Sequence, residues 1–550
     1  MLKKINNFLK NNFWEAGVFL FSFFVFLFNA RYVSYPDEFV NLLAAKSILN
    51  GGIAYRDFFD HHLPLAWYLG SIFLIFSFGS YTIFRLFWSL FNFVLLSFLA
   101  FYIKKKYQKV YPFYLIFLVF YPLTALYFWF HLYLADSLAV LFFTLSFWLL
   151  LLQTFFKKDL KEKYYVSILV SFLNFCLVFS SATFVYLTFF LYLWQLYLIG
   201  LNRKNIMFFV FFSSLPYLIY GLYLILTGTF FDFYFANFVY NTKLYISIPN
   251  YVKGTHFNPA KFALTLIDNF WQNYVVLLTQ IKHLDLYLPI GVLAGLGSLI
   301  LFLILLTTKL PIGAIYFFVL SFSAPRSNIQ KFSETDYQAS LFLVLGLIAS
   351  IFSFYFLYQN KFKEIFWEDL SRLVKILLFI FGFFSFLFLG QNFYHKFFSV
   401  YTQKMPSVYN FSYVADFIDQ IIEKNEYYWI GPYEPHHEFF VKKGKLPGKY
   451  PTLLPQFRED DYLKNDFLSQ FKKNKPLILI FNHQASIFMT PANEFGRFFL
   501  DWLERNYVNL DQLKIKAKKS FSEFNIQTDL YLKKEEVDQL ILRLKKAKYF

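Results

Sequence analysis

The stretch LPLAWYLGSIFLIFSF, residues 63–78, is apolar from end to end, yet it is short for a bilayer crossing and has a proline in its first turn. A hydrocarbon core takes about twenty apolar residues per helix. Whether this segment crosses decides which side of the membrane every later loop faces. Lys3, Lys4 and Lys10 precede the first apolar run, and Lys104, Lys105, Lys106 and Lys109 follow the next long one. Counting 63–78 as a crossing puts these two basic clusters on opposite sides, whereas cytoplasmic loops collect lysine and arginine together. The segment is therefore expected to lie in, or re-enter, the outer interface.

Working outward, apolar runs of spanning character occur near 13–30, 81–103, 110–130, 135–155, 164–181, 183–200, 206–226, 286–307, 310–323, 337–358 and 372–390. With these eleven spans the remaining basic loops also fall on the inner side: Lys157, Lys158, Lys161 and Lys163; Arg203 and Lys204; Lys309; Lys361, Lys363, Arg372 and Lys375. The chain of 550 residues is 58% hydrophobic, 25% aromatic and 16% charged, with a mean hydropathy of +0.44. That leaves too little polar surface for a soluble globule of this size. The net charge of +17 comes in short clusters between apolar runs, a pattern of membrane loops that excludes nucleic acid as the partner. The lone cysteine, Cys176, lies in an apolar run and reads as a core residue. Residues 13–30 read as an uncleaved first helix rather than a signal peptide, given their length and the bulky Phe28.

The fold class expected is a polytopic α-helical membrane protein of about eleven transmembrane helices, with an interfacial helix in the first outer loop. Residues 1–390 form the membrane domain, with outer loops at 31–80 and 227–285. From 391 to 550 charges become frequent, and strand-like runs such as Tyr427 to Ile430 and Leu477 to Phe481 alternate with polar helical stretches. This segment reads as a small extracytoplasmic α/β domain. The N-terminus is expected in the cytoplasm and the whole chain in the cell membrane.

On that topology, charged residues gather at the outer face. The first outer loop carries Asp37, Glu38, Arg56, Asp57, Asp60, His61 and His62; Arg85 opens the next helix, His131 and Asp136 meet outside, and Asp232, Arg326 and Lys331 sit in later loops. Each has a plain structural role to hand. Pro36 followed by Asp37 and Glu38 suits a helix start, Asp136 suits a helix cap, and Arg85 can snorkel to the interface. His61 and His62 are sequence neighbours, which seldom point at one ion, and His436, His437 and Glu438 lack the i, i+4 spacing of a helical metal site.

The ordered series from Asp37 to Leu86 resembles the first outer loop of the GT-C membrane glycosyltransferases, in the family of protein O-mannosyltransferases and the bacterial aminoarabinose transferases that act on lipid A. That family's pattern is an Asp-Glu pair, a helix with small residues, a Gly then a Tyr, an aromatic-acidic patch, a Lys-Pro-Pro-Leu element and a later Arg-Leu. This chain supplies Asp37-Glu38, Gly51-Gly52, Tyr55, Asp57 to Phe59, Pro64-Leu65 and Arg85-Leu86. It departs at His62-Leu63-Pro64-Leu65, where a histidine replaces the family's lysine. The likeness is best over residues 30–140.

The resemblance implies inverting transfer of a sugar from a polyprenyl-phosphate donor to an acceptor at the outer face. It places Asp37 as general base, with Glu38 and Asp136 as further catalytic carboxylates. His62, Arg85 and Arg326 become the candidate cations for the donor phosphate. A divalent metal, Mg or Mn, shared by Asp37 and Asp136 is a further implication. The rival class is a transporter or flippase, which would ordinarily need charged groups near the bilayer midplane and broken helices in related halves.

Overall fold

The computed structural model describes residues 13–156, 160–245, 258–279, 289–359, 368–402, 411–516, 521 and 524–547. Lys3, Lys4, Lys10, Lys157, Lys158, Lys361 and Lys363 lie outside these residues, so the topology drawn from them does too. The chain divides into two compact units, each discontinuous. One takes the chain up to Val33, Gly79–Tyr220 and Pro259–Val408; the other takes Ser34–Phe78, Gly221–Asn258 and Tyr409–Phe550.

The first unit is helical. Every one of the eleven apolar runs carries a helix, and among the described residues eight helices are long and apolar enough to cross a membrane. Phe13–Asn29, Tyr111–Tyr127 and Leu310–Ser321 are shorter. Side chains that are polar but uncharged bind these helices to one another. Gln195 donates to Ser167 and Ser171, the Trp194 indole N–H to Thr154, and the Ser146 hydroxyl to Asn174. Where Pro289–Thr308 meets Ser340–Tyr358, small residues let the backbones touch: a Cβ on Gly346 would sit 2.5 Å from the Ala294 Cα. Close approach of this kind is how helices associate in lipid, where no hydrophobic difference drives them together. Helix Glu368–Tyr401 runs through residue 390 without a break.

The second unit holds the short apolar segment 63–78. Residues Leu65–Ser77 form a helix of 13 residues, about 20 Å at 1.5 Å per residue, against about 30 Å of hydrocarbon. The stretch read as the long outer loop 227–285 is not a plain loop. It contains the helical turns Phe230–Tyr234 and Phe235–Tyr245 and, in the first unit, helix Pro259–Thr279. The run FFDFYFANFVY has no Gly, Pro or Ser to break a helix.

The C-terminal part of this unit is built on a four-stranded sheet in the order Tyr428–Gly431, Ile478–Phe481, Leu530–Lys533, Tyr507–Asn509. The first pair is parallel, with Ile430 beside Ile480, and the other two are antiparallel. The first two strands are buried at every position, as continuous apolar runs predict. Helices Tyr413–Ile421 and Val537–Lys546 close one face of the core.

One buried carboxyl in this unit gives a pH prediction. Glu438 accepts the Ile430 N–H at 3.0 Å, and its Oε2 is buried without a hydrogen-bond partner among the described residues. Burial drives its pKa well above the usual carboxylate range, against the opposing pull of the Ile430 N–H and the Lys46 charge. The folded state therefore favours the protonated form. That stability is complete below the ordinary carboxylate pKa and is lost as pH rises through the raised folded value. Glu438→Gln should raise the melting temperature by a few degrees at about pH 8 and leave it nearly unchanged at about pH 4. Equal shifts at both pH values would show that Glu438 is ionised in the fold.

Candidate functional site

Asp37 and Glu38 stand in the first turn of helix Pro36–Leu49, whose N-cap is Tyr35 and whose N1 residue is Pro36. The sequence folds this way because proline lacks the N–H that a first turn leaves unbonded, and two carboxylates complement the positive helix end. The two side chains then differ. Glu38 is fully buried, whereas Asp37 is half-buried and its Oδ1 accepts the Tyr433 hydroxyl at 2.7 Å. Tyr433 follows the strand Tyr428–Gly431, so the C-terminal sheet carries a donor to the loop carboxylate. The helix ends at Asn50 and Gly51, with Gly51 at φ +88°, where a side chain would be strained.

Beyond it the chain turns tightly. Tyr55 N–H bonds to the Phe58 carbonyl, the Asp57 carboxylate receives the Ile53 N–H and pairs with Arg56, and the Tyr55 hydroxyl donates to the His62 carbonyl at 2.9 Å. His62 does not stand alone as a cation: its Nδ1 lies 3.0 Å from Asp60 Oδ2. The Asp60 carboxylate is buried, which opposes ionisation, but His62 and His61 outweigh this and hold it well below the usual range.

In the first unit, Asp136 lies in the first turn of helix Ala135–Phe155 and is buried. Its Oδ1 accepts the Ser181 hydroxyl at 3.1 Å, and its Oδ2 pairs with the Arg326 guanidinium. Arg326 also lies in the field of Asp336, whose carboxyl burial pushes up and the Ser327 hydroxyl pulls back. A candidate carboxylate and a candidate cation, 190 residues apart, thus meet.

Arg85 is placed differently. It is fully buried, and its Nη1 and Nη2 donate to the carbonyls of Asn29, Tyr32 and Val33 at 2.8–3.1 Å. These carbonyls end helix Phe13–Asn29, where a cation complements the negative helix terminus. Arg85 closes the first helix and does not snorkel. The His131 ring is likewise buried, and burial, helped by the Arg85 charge, keeps it neutral.

The metal reading of Asp37 and Asp136 meets an obstacle in this arrangement. The Arg326 guanidinium occupies Asp136 Oδ2 and Ser181 occupies Oδ1, so a divalent ion at Asp136 would have to displace a cation already in place. Asp37 and Asp136 belong to different units.

Two contacts here were beyond sequence reasoning. Tyr433 and Ser181 carry no local signal; only the fold brings them to Asp37 and Asp136.

No family model matches the chain, and no curated protein matches it. Among solved structures, it is similar to the archaeal oligosaccharyltransferase AglB from Archaeoglobus fulgidus, solved in complex with an inhibitory peptide and a dolichol-phosphate. The likeness covers 86% of this chain and 70% of that one, at 13% identity and a TM-score of 0.37. So loose a likeness fixes neither topology nor activity.

Proposed function

We propose that this chain is a membrane glycosyltransferase that moves a sugar from a polyprenyl-phosphate donor to an acceptor at the outer membrane face. The observation that carries the proposal is the half-buried Asp37 carboxylate. It is held at the start of a helix outside the long apolar spans and oriented by the Tyr433 hydroxyl, within the ordered series from Asp37-Glu38 to Arg85-Leu86 that resembles the GT-C family. Asp37 takes the proton of the acceptor hydroxyl as its oxygen attacks the anomeric carbon. The carbon–oxygen bond to phosphate breaks with inversion, and the phosphate leaves with the bonding electrons. Arg326, paired with Asp136, is one candidate cation for that developing charge, beside His62 and Arg85. Arg85 and His62 are engaged with backbone carbonyls and with Asp60.

Gln195, Asn174 and Thr154 join the spans as uncharged groups, and the buried charges Arg85, Asp136 and Lys396 stand near helix ends. This favours an enzyme over a carrier of charged substrates.

The test is to incubate the purified chain in lipid with a panel of polyprenyl-phosphate sugars and a membrane extract as acceptor source, following released polyprenyl phosphate by mass spectrometry. Consumption of one donor is expected. Movement of a donor between leaflets without cleavage would make the protein a flippase and end this reading.

Tyr433→Phe gives a finer check. Loss of one hydrogen bond to an orienting carboxylate should lower kcat by roughly 3–10-fold and leave the donor KM unchanged. A change in KM alone would place Tyr433 on the substrate rather than on Asp37.

A further inference from the structure

We propose that Asp60, His61 and His62 form a divalent transition-metal site, with zinc the best match, that fastens the first loop of the second unit. In sequence these are adjacent residues that seldom share an ion. The fold removes that objection, because both Nδ1 atoms turn to one carboxylate: His61 Nδ1 is 3.0 Å from Asp60 Oδ1 and His62 Nδ1 is 3.0 Å from Asp60 Oδ2. One ligand atom from each of the three lies within 4.8 Å of the others. A four-coordinate zinc has ligands at about 2.0–2.2 Å, so its ligand-to-ligand edges are about 3.3 Å. His61 Nδ1 and His62 Nδ1 lie 3.0 Å and 3.1 Å from the same Asp60 Oδ1, close to that edge, and the third edge is within 4.8 Å.

The surroundings are those of a built site. The Asp60 side chain is 8% exposed and that of His61 13%, while His62 is 37% exposed and leaves an open side for a water and for metal entry. Outer contacts fix the backbone at both histidines. The Tyr55 hydroxyl holds the His62 carbonyl at 2.9 Å, Asn241 Nδ2 holds the His61 carbonyl at 3.0 Å, and the Tyr245 ring lies 4.3 Å from the His61 ring. Phe59, one residue before the triad, packs on Tyr240. The site thus lies where loop 53–62 packs on segment 235–245. Two imidazoles and one carboxylate are a donor set for zinc rather than for magnesium or calcium, which prefer oxygen alone.

In the second histidine group, Glu434, His436 and His437, two members are committed elsewhere. His437 Nδ1 meets the Ser412 hydroxyl at 2.8 Å, Asn482 donates to Glu434, and His436 Nδ1 is 3.9 Å from Glu434.

The experiment uses the full-length chain purified in detergent, stripped with chelator and titrated with zinc chloride, with bound metal counted by mass spectrometry. One equivalent is expected. His62→Gln alters the most exposed ligand and so threatens folding least; it should weaken binding by more than the ~10–100-fold that loss of an outer-shell partner costs. His436→Gln should bind as the native chain does. A stripped chain that takes up no zinc, or a His62→Gln variant that binds as tightly as native, would overturn the site. The readout is metal content, so the result is independent of whether the chain transfers sugar.

Discussion

Asp37→Asn should abolish sugar transfer while leaving the fold and donor binding in place. General-base catalysis typically contributes about 10²–10⁴-fold, and asparagine keeps the shape of the side chain but cannot take the acceptor's proton. The substitution is mild structurally because Asp37 is only half-buried, and the Tyr433 hydroxyl that donates to it can donate to the asparagine carbonyl equally well. The melting temperature should therefore stay within a degree or two of native. Glu38→Gln separates the roles of the pair. Glu38 is fully buried, so its loss should appear first in stability and only secondarily in rate. The decisive measurement is single-turnover donor consumption at saturating acceptor for both variants. Native-like turnover in Asp37→Asn, with a slow Glu38→Gln, would move the base to the neighbouring residue; native-like turnover in both would remove the first loop from the chemistry.

The sequence carried the elements whose signal is local. Apolar runs marked the helices of the first unit, the shortness of 63–78 set it apart from them, and the runs at Tyr427 to Ile430 and Leu477 to Phe481 lie within one residue of the strands Tyr428–Gly431 and Ile478–Phe481. Strand Leu530–Lys533, which joins the sheet antiparallel to Ile478–Phe481, is short and flanked by charge, so no periodicity announced it. Charged side chains were legible as candidates but not in their partners. Arg85, at a helix start beside an apolar run, looks the same in sequence whether it reaches for water or caps a neighbouring helix; only the carbonyls of Asn29, Tyr32 and Val33 decide it. His61 and His62 are sequence neighbours, which seldom point at one ion, yet a turn held by Tyr55 aims both rings at one carboxylate. Spacing rules assume a regular element, and this loop has none.

Breaking the Asp136–Arg326 pair should give the largest loss of stability in the first unit, and the two halves of the pair should not cost the same. The Asp136 side chain is 4% exposed and that of Arg326 24%. In Arg326→Met the buried carboxylate keeps the Ser181 hydroxyl at 3.1 Å but loses its cation, so the cost approaches the ~3–5 kcal/mol of an uncompensated buried charge. In Asp136→Asn the arginine is left part-exposed with Asp336 still in its field, and the amide carbonyl can accept from it, so the cost is nearer ~1.5–3 kcal/mol. The double variant replaces both charges together and should be more stable than Arg326→Met alone. Thermal unfolding of the four proteins in one detergent orders them as native, Asp136→Asn, double variant, Arg326→Met, or with the middle two level. Were Arg326→Met to melt with native, the pair would contribute nothing to the fold, and the arginine would be held there for the donor phosphate alone; the donor KM of that same variant then reports directly on whether the cation leaves Asp136 to meet its substrate.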